Sequence, residues 1–327
     1  MNFLITGGAG YIGSHMVKFL QQMNYDPVII DNFSTGNKWA IKNCEVINAN
    51  LQDYSNLSKL LRGRKYDGVF HFASKSIVAE SFKKPEAYMS NNLNGTYNLI
   101  KVMRENNNNF LIFSSSAAIY GKPLTNKIKE SHPKKPISIY GKSKLLCEEY
   151  MKKISHETEM RFISLRYFNV AGASYDAKIG EFHKPETHLI PQILNSIHNE
   201  TTFSINGNDY DTKDGTCVRD YVHVNDIIKA HYKAFLNLKE NRRSTAYNLA
   251  NGKGYSILDV IKKCEEVTGL KINYKFSKRR EGDPAILIAD YSKAMKELKW
   301  KPSYMSNLEN IISTSWKWHK YFISNYS

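Results

Sequence analysis

A short apolar strand that runs directly into a glycine-rich turn opens the chain. Residues 2–6 read Asn-Phe-Leu-Ile-Thr, and Gly7, Gly10 and Gly13 follow at three-residue intervals before a predicted helix over 12–23. Glycines at this spacing allow a tight strand-to-helix turn that brings backbone N–H groups against a pyrophosphate at the N-terminus of the helix. The pattern therefore predicts a dinucleotide-binding turn.

An aspartate at the end of the second predicted strand supports this interpretation. The strand covers residues 27–31 and ends in Asp31, which lies about 20 residues beyond the turn, where a carboxylate can bind the ribose hydroxyls of adenosine. The same carboxylate would repel a 2′-phosphate. We therefore predict that the cofactor is NAD and not NADP.

Strands and helices alternate through the first half of the chain. We predict helices over 12–23, 55–64, 85–106 and 140–157, and strands over 2–6, 27–31, 45–48, 68–72, 109–115 and 162–167. Such alternation predicts an α/β fold of the Rossmann type, a doubly wound parallel sheet with helices on both faces. Ligands of such sheets bind at the carboxyl ends of the strands.

The pattern becomes less regular after about residue 170. Further helices are predicted over 187–199, 225–238, 256–268 and 305–323, separated by shorter elements and turns. We therefore predict an NAD-binding domain over 1–170 and a smaller C-terminal α/β substrate domain over 171–327, some segments of which return to the main sheet.

Composition excludes several other classes of protein. The net charge of +15 comes from lysines spread along the 327 residues, so we expect no nucleic-acid partner. Because the sequence has no run of about 18 apolar residues, we expect no membrane-spanning helix. The first strand begins at residue 2, so we expect no signal peptide. The four cysteines are far apart in sequence, which is typical of a reducing cytoplasm.

A tyrosine and a lysine four residues apart are the candidate catalytic pair. Tyr140 and Lys144 share one face of the helix predicted over 140–157. A tyrosine with the usual pKa of about 10 is a weak base at neutral pH, but a nearby ammonium and a cationic nicotinamide would favour its phenolate form. The preceding strand ends in Ser114-Ser115-Ser116, which can orient or relay a substrate proton. We predict acid/base chemistry at Tyr140.

A metal site is not expected from the sequence. Glu181, His183, Glu186 and His188 are candidate ligands, but their spacing does not match the i, i+4 histidine pair of a helical zinc site, and Pro185 interrupts the segment.

Taken together, these motifs resemble the extended short-chain dehydrogenase/reductase superfamily. Longer segments narrow the resemblance to its UDP-glucose 4-epimerases over essentially the full length. The segments that carry it are 31–32, 71–73, 114–121, 140–144, 165–172, 214–223, 247–249 and 279–283.

The resemblance implies roles at matching positions. Tyr140 would be the base, Lys144 its electrostatic partner and Ser116 the hydroxyl that bridges Tyr140 to the sugar. The implied cofactor contacts are Gly7, Gly10, Tyr11, Ile12, Gly13, Asp31, Asn32, Asn50, Leu51, Phe72, Ala73, Asn91, Ser114, Tyr140, Lys144 and Tyr167. A further cofactor contact from Lys75 or Ser76 stays open. The implied substrate contacts are Ser116, Asn169, His188, Leu189, Arg219, Arg280, Asp283 and Leu287.

The resemblance also implies the reaction and the partners. The expected activity is NAD-dependent epimerisation at C4 of a UDP-hexose, which interconverts UDP-glucose and UDP-galactose in a cytoplasmic homodimer. The alternative is an enzyme for UDP-N-acetylhexosamines or for both classes of sugar. Leu287 would face the C2 substituent, where relatives with tyrosine tend to exclude N-acetylated sugars and relatives with cysteine admit them.

Three rival functions were weighed. A nucleotide-sugar 4,6-dehydratase needs an acidic pair after the strand-end hydroxyl, whereas here Ser116 is followed by Ala117 and Ala118. A decarboxylase acting on UDP-glucuronate would give a pentose product. A non-catalytic NAD-binding protein would not need the intact tyrosine and lysine.

Overall fold

The computed structural model describes residues 1–280 and 282–326. Glu281, inside the motif over 279–283, and Ser327, at the end of the predicted second domain, lie outside the described residues. The strands are β1 Phe3–Thr6, β2 Val28–Asp31, β3 Val46–Asn48, β4 Gly68–His71, β5 Phe110–Ser116, β6 Arg161–Tyr167, β7 Asn169–Ala171, β8 Phe203–Asn206, β9 Val218–His223, β10 Thr245–Leu249, β11 Gly254–Ser256, β12 Tyr274–Ser277 and β13 Ile286–Leu287. The helices are α1 Tyr11–Gln22, α2 Tyr54–Leu61, α3 Val78–Lys83, α4 Pro85–Tyr88, α5 Gly95–Glu105, α6 Ile139–Glu157, α7 Leu189–His198, α8 Val224–Asn241, α9 Ile257–Thr268, α10 Ser292–Glu297 and α11 Leu308–Tyr326.

The internal contacts of the chain divide it into two compact units. The first comprises Met1–Gly121, Pro133–Arg166 and Ile228–Tyr247, and the second comprises Lys122–His132, Tyr167–Ile227 and Asn248–Ser327. Among the described residues, no helix is long and apolar enough to cross a lipid bilayer.

A seven-stranded sheet forms the centre of the first unit. Its strand order is β10-β6-β5-β4-β1-β2-β3, and β1 pairs in parallel with both β2 and β4. The order reverses after β1 because the chain continues outward to β2 and β3 and then returns to β4. The sheet confirms the predicted Rossmann-type fold, and the reversal places a ligand crevice at the carboxyl ends of β1 and β4.

Apolar side chains cover both faces of this sheet. On one face Leu4 and Val69 belong to a buried core that also contains Leu99 of α5 and Met151 of α6. On the other face the ring centroid of Phe3 lies 5.0 Å from that of Phe235 in α8. Burial on both faces explains the continuous apolar runs of these strands.

One predicted helix differs from the structure. Residues 85–106 were expected to form a continuous helix, but α4 and α5 are separated by a π-helical turn over Met89–Asn94. The apolar periodicity on both sides of the turn is helical, so the sequence pattern does not reveal the wider turn between them.

The second unit contains a small mixed sheet and three larger helices. Strand β9 pairs antiparallel with β11 and parallel with both β7 and β13, while β8 and β12 form a separate parallel pair. Residues of α7, α9 and α11 form its core, among them Ile193, Val260 and Ile311.

Candidate active site

The glycine turn after β1 forms the floor of a groove in the first unit. Gly7 has φ of +72°, and a Cβ atom there would lie 2.5 Å from the backbone nitrogen of Ala73 after β4. Only glycine fits both the backbone conformation and the close approach. Helix α1 begins at Tyr11, with Gly10 as its N-cap and without a side-chain cap hydrogen bond, and the N-terminus of a helix attracts an anion.

Asp31 is held rigidly at the end of β2. Its Oδ2 accepts a hydrogen bond of 2.9 Å from the backbone N–H of Ala9, and its Oδ1 accepts one of 2.8 Å from that of Phe33. Burial raises the pKa of Asp31, and the two backbone hydrogen bonds oppose that shift. The structure thus fixes the carboxylate beside the glycine turn.

Nine of the predicted cofactor residues line the groove. These are Gly7, Gly10, Asp31, Asn32, Asn50, Leu51, Phe72, Ala73 and Asn91. Sequence reasoning missed Ile30, Ser34, Thr35, Gly36, Ala49 and Ser74, which also line it. Lys75 lines the groove as well, whereas Ser76 is not among its lining residues.

The π-helical turn holds Lys75 in place at this groove. The side-chain oxygen of Asn92 accepts a hydrogen bond of 2.8 Å from the backbone N–H of Lys75, and its amide donates to the Lys75 carbonyl and to the Ser143 hydroxyl, both at 3.0 Å. Asn91 lies on the same turn, and its Oδ1 accepts a longer bond of 3.2 Å from the Lys75 N–H. Asn92 is a positioning residue that the sequence did not reveal.

Tyr140, Lys144 and Ser116 come together where β5 ends and α6 begins. Ser138 caps α6 by accepting a hydrogen bond from the Gly141 N–H, and a Cβ at Gly141 would collide with the carbonyl oxygen of Ala118. This close approach brings the first turn of α6 against the end of β5. The Ser116 hydroxyl lies near enough to the Tyr140 side chain to lower the pKa of the phenol.

Lys144 lies in the same cluster and is buried. Its Nζ donates a hydrogen bond of 2.8 Å to the carbonyl oxygen of Ser114 and lies 5.9 Å from the centre of the Tyr140 ring. Burial lowers the pKa of Lys144 to about 8. Burial likewise raises the pKa of Tyr140, against the opposing effect of Ser116. A nearby ammonium by itself would lower the pKa of Tyr140, but in the protein the desolvation of the phenol dominates and raises it.

A buried ion pair supports this cluster, and sequence reasoning missed it. Glu148 and Arg166 are joined by two hydrogen bonds, Nε to Oε1 at 3.0 Å and a terminal nitrogen to Oε2 at 2.5 Å. Ser115 donates a bond of 2.6 Å to Glu148, and Arg166 donates one of 2.9 Å to the Tyr120 hydroxyl. The spacing of four residues between Lys144 and Glu148 was the available signal, since it places both on one helix face.

His71 of β4 links β1 to α5 through hydrogen bonds with two threonine hydroxyls. Its Nδ1 lies 2.6 Å from the Thr6 hydroxyl and its Nε2 lies 2.9 Å from the Thr96 hydroxyl. Burial foremost, with a contribution from Lys144, lowers the pKa of His71 to about 3. A neutral, doubly hydrogen-bonded imidazole is structural and is not an acid or base for a substrate.

In the second unit, three of the predicted substrate residues lie close together. The guanidinium of Arg219 in β9 donates a hydrogen bond of 2.5 Å to the Asp283 carboxylate, and Leu287 in β13 pairs in register with Arg219. Arg219 is buried, and burial by itself would lower its pKa, but Asp283 keeps the pKa raised. Arg280 is exposed on the segment before Asp283.

The remaining predicted cofactor and substrate contacts of this unit lie on β7, just before β7, and at the start of α7. Asn169 begins β7 and pairs in register with Tyr221, while Tyr167 is buried just before it. His188 is the N-cap residue of α7 and Leu189 is its first residue. The carboxylate of Glu181 foremost raises the pKa of His188 to about 10.

Three structural observations indicate that the first unit can bind a dinucleotide. The turn at Gly7 has no room for a side chain, the N-terminus of α1 carries no side-chain cap, and Asp31 is fixed at the end of the neighbouring strand. The same unit also holds Tyr140, Lys144 and Ser116, and this fold with these residues is that of the extended short-chain dehydrogenase/reductase class.

Comparisons with known proteins identify the family more closely. The family described as GDP-mannose 4,6 dehydratase matches residues 4–313. The UDP-glucose 4-epimerase of Lactobacillus helveticus is 45% identical over 98% of this chain and 97% of its own length. A crystal structure of a UDP-glucose 4-epimerase superimposes with a TM-score of 0.95 and 40% identity and covers 100% of both chains. The crystal structure of a UDP-glucose 4-epimerase from Stenotrophomonas maltophila was solved with NAD and formylated UDP-arabinopyranose. It superimposes with a TM-score of 0.94 and 34% sequence identity and covers 99% of both chains. The chain belongs to the UDP-glucose 4-epimerase family.

Proposed function

We propose that this protein is an NAD-dependent UDP-hexose 4-epimerase that interconverts UDP-glucose and UDP-galactose. The observation that carries the proposal is the position of buried Lys144, whose Nζ lies 5.9 Å from the Tyr140 ring and is held by the Ser114 carbonyl, in the same unit as Ser116 and the dinucleotide groove. A base, a cation and an orienting hydroxyl at such a groove are the groups that oxidation of a secondary alcohol needs.

Each catalytic side chain has a distinct role in this proposal. Tyr140 removes the proton of the sugar 4-hydroxyl, and Ser116 aligns that hydroxyl with the phenolic oxygen. Lys144, held by the Ser114 carbonyl, favours the phenolate by its charge. Bound NAD would supply the acceptor for the C4 hydride and the donor for its return to the opposite face of the sugar. Tyr140 then returns the proton, so the reaction has no net redox change.

The proposed cofactor contacts follow the structure of the first unit. Asp31 binds the adenosine ribose, and the uncapped N-terminus of α1 binds the pyrophosphate. Lys144 also binds the nicotinamide ribose in this assignment.

The UDP group is assigned to residues of the second unit. Arg219 and Arg280 bind the diphosphate, since a guanidinium offers paired donors to phosphate oxygens. Asp283 binds the uridine ribose. In the described structure Asp283 neutralises Arg219, so the arginine is held in place before substrate arrives.

The dehydratase named by the family description is the nearest rival reaction. Dehydration requires an acid and a base to remove the C5 proton and expel the C6 hydroxyl. Ala117 and Ala118 follow Ser116 here, and the Ala118 N–H donates a 3.1 Å hydrogen bond to the Ser116 hydroxyl. Methyl groups supply neither function, which favours epimerisation.

The proposal extends to the range of sugars, the oligomeric state and the location of the protein. UDP-glucose and UDP-galactose are the main substrates, with UDP-N-acetylhexosamines slower, because leucine at position 287 is intermediate in bulk. A homodimer and a cytoplasmic location complete the proposal. All four cysteines are free, which suits a reducing compartment.

One experiment tests the function directly. Purified protein is incubated with UDP-galactose, UDP-N-acetylgalactosamine or UDP-glucuronate without added NAD, and the products are resolved by chromatography. We expect UDP-glucose from UDP-galactose. A 4-keto-6-deoxy sugar would instead support the dehydratase, a UDP-pentose would support the decarboxylase, and no conversion by NAD-loaded protein would contradict an enzymatic role.

A further inference from the structure

Four side chains that precede α7 in the second unit form a compact ligand set. Glu181, His183, Glu186 and His188 each offer one nitrogen or oxygen atom, and all four atoms lie within 4.8 Å of one another. The four residues lie in a loop before α7, so the i, i+4 spacing of a helical zinc site does not apply to them.

The distances within the cluster match a tetrahedral metal site. The Nδ1 atom of His188 lies 2.8 Å from Glu181 Oε1 and 3.4 Å from Glu186 Oε1. The Nδ1 atom of His183 lies 3.6 Å from Glu181 Oε1 and 3.5 Å from Glu186 Oε2. A tetrahedron with metal–ligand bonds of about 2.0–2.2 Å has edges of about 3.3–3.6 Å. Three of the four distances lie in that range, of which two end on different oxygens of Glu186, and the distance of 2.8 Å between His188 and Glu181 is shorter.

Both imidazole Nδ1 atoms face the carboxylates of the cluster. Both Nδ1 atoms are shielded from solvent, and neither forms a hydrogen bond of normal geometry, although carboxylate oxygens lie close by. The Glu181 and Glu186 side chains are only 7% and 10% exposed. Buried nitrogens without hydrogen bonds and buried carboxylates are costly unless a ligand satisfies them.

Neighbouring groups hold the segment in position. The Oε1 atom of Glu186 accepts hydrogen bonds from the backbone N–H groups of Thr187 and His188, at 2.8 and 2.9 Å. Trp318 of α11 donates a 3.0 Å hydrogen bond to the Glu181 carbonyl, and Gln192 of α7 donates one of 3.0 Å to the Glu186 carbonyl. Such outer contacts orient metal ligands before an ion binds.

We propose that Glu181, His183, Glu186 and His188 bind one divalent transition-metal ion, with Zn²⁺ as the best match. Two imidazole and two carboxylate ligands suit zinc, and the two carboxylates neutralise its charge. Because protein side chains fill all four positions, the site is structural and not catalytic. The bound ion stabilises the segment that leads from Glu181 into α7. This inference is independent of the proposed epimerase activity.

The test uses the full-length protein after treatment with EDTA and dialysis. Titration with ZnCl2 is followed by calorimetry, and Co²⁺ is added separately as a spectroscopic probe. We expect one high-affinity equivalent of Zn²⁺ and a visible absorption band typical of tetrahedral Co²⁺. Zn²⁺ should also raise the melting temperature, because the ligand binds only the folded state.

Two variants of the proposed ligands and one matched control test whether Zn²⁺ binds at this cluster. His183→Gln and Glu181→Gln should weaken Zn²⁺ binding by more than about 100-fold, since loss of a ligand exceeds the 10–100-fold effect of an outer contact. His156→Gln removes an exposed histidine elsewhere and should bind Zn²⁺ like the unmodified protein.

Wild-type protein alone can overturn the proposal, even if a variant fails to fold. Absence of a high-affinity equivalent would show that the cluster is only an ion-pair network, and an octahedral Co²⁺ spectrum would contradict a tetrahedral site made of four protein ligands. Binding that survives in folded His183→Gln protein would also contradict the assignment.

Discussion

Glu148 lies one helical turn beyond Lys144 and binds Arg166 of β6 through two hydrogen bonds, at 2.5 and 3.0 Å. Both side chains are almost fully buried, at 9% and 5% exposure. The pair joins the helix that carries Tyr140 to the central sheet, and Ser115 adds a third link from β5. The geometry of the catalytic cluster therefore depends on a contact that involves none of its own members.

Removing the charge of Glu148 should destabilise the protein strongly. Glu148→Gln leaves Arg166 buried without a carboxylate, so we expect the free energy of unfolding to fall by about 3–5 kcal/mol. Urea denaturation followed by circular dichroism measures it. Glu149→Gln changes the exposed neighbour and should stay within about 0.5 kcal/mol of wild type. Equal denaturation midpoints for the two variants would rule out the supporting role.

Loss of the Tyr140 hydroxyl should stop catalysis without unfolding the site. Tyr140→Phe keeps the ring but removes the acid/base group, so kcat should fall by about 10²–10⁴. UDP binding, measured by calorimetry, should be retained. Tyr304→Phe, at a side chain that is 76% exposed, serves as control and should turn over normally. Near-normal turnover by folded Tyr140→Phe would end the assignment of Tyr140 as the base.

The carboxylate of Asp31 should decide cofactor selectivity. Asp31→Ala removes hydrogen bonds to the ribose worth about 1.5–3 kcal/mol, so the preference for NAD over NADP should drop about tenfold or more. Binding of each cofactor to stripped protein is measured by fluorescence. Asp26→Ala, at an exposed position before β2, should keep the wild-type preference. A wild-type protein that prefers NADP would show the role of Asp31 to be wrong.

Side-chain bulk at Leu287 should set the tolerance for N-acetylated sugars. Each methylene in a pocket is worth only about 1–3 kcal/mol, so we expect preference and not exclusion. The ratio of kcat/KM for UDP-galactose over UDP-N-acetylgalactosamine should fall in Leu287→Cys and rise in Leu287→Tyr. Ile286→Val, at the exposed neighbour in β13, is the control. An unchanged ratio across all three Leu287 proteins would make Leu287 a packing residue.

Asp220 should make stability depend on pH. Burial foremost raises its pKa to about 7, although three backbone N–H groups, from Asn251, Gly252 and Ala289, donate to it. The pKa of Asp220 in the folded state exceeds the unfolded value of about 3.9, so the folded state holds the proton more tightly. The protonated Asp220 therefore contributes to the free energy of unfolding at low pH, and this contribution is lost as pH rises from about 4 through 7.

Melting curves between pH 4.5 and 8 measure this dependence. Asp220→Asn should lose less stability over that range than wild type, because its side chain does not titrate. Asp211→Asn, at an exposed position of the same unit, should follow the wild-type curve. Parallel curves for wild type and Asp220→Asn would show that Asp220 stays ionised.

The sequence by itself determined the features that depend on local chemistry. The glycine turn at residues 7–13, the carboxylate at the end of β2, and the pairing of Tyr140 with Lys144 are all set by spacing within one element or one turn. Strand and helix alternation predicted the Rossmann-type sheet for the same reason, since backbone preferences and side-chain periodicity act over a few residues.

Only the tertiary structure decided the contacts between distant segments. Lys144 reaches the Ser114 carbonyl across 30 residues, and Arg219 reaches Asp283 across 64. The ion pair of Glu148 with Arg166 joins residues 18 apart, and no sequence pattern fixes that spacing. Burial decided the raised pKa of Tyr140 in the same way. Desolvation and long-range pairing depend on which surfaces the folded chain removes from water, and no local segment carries that information.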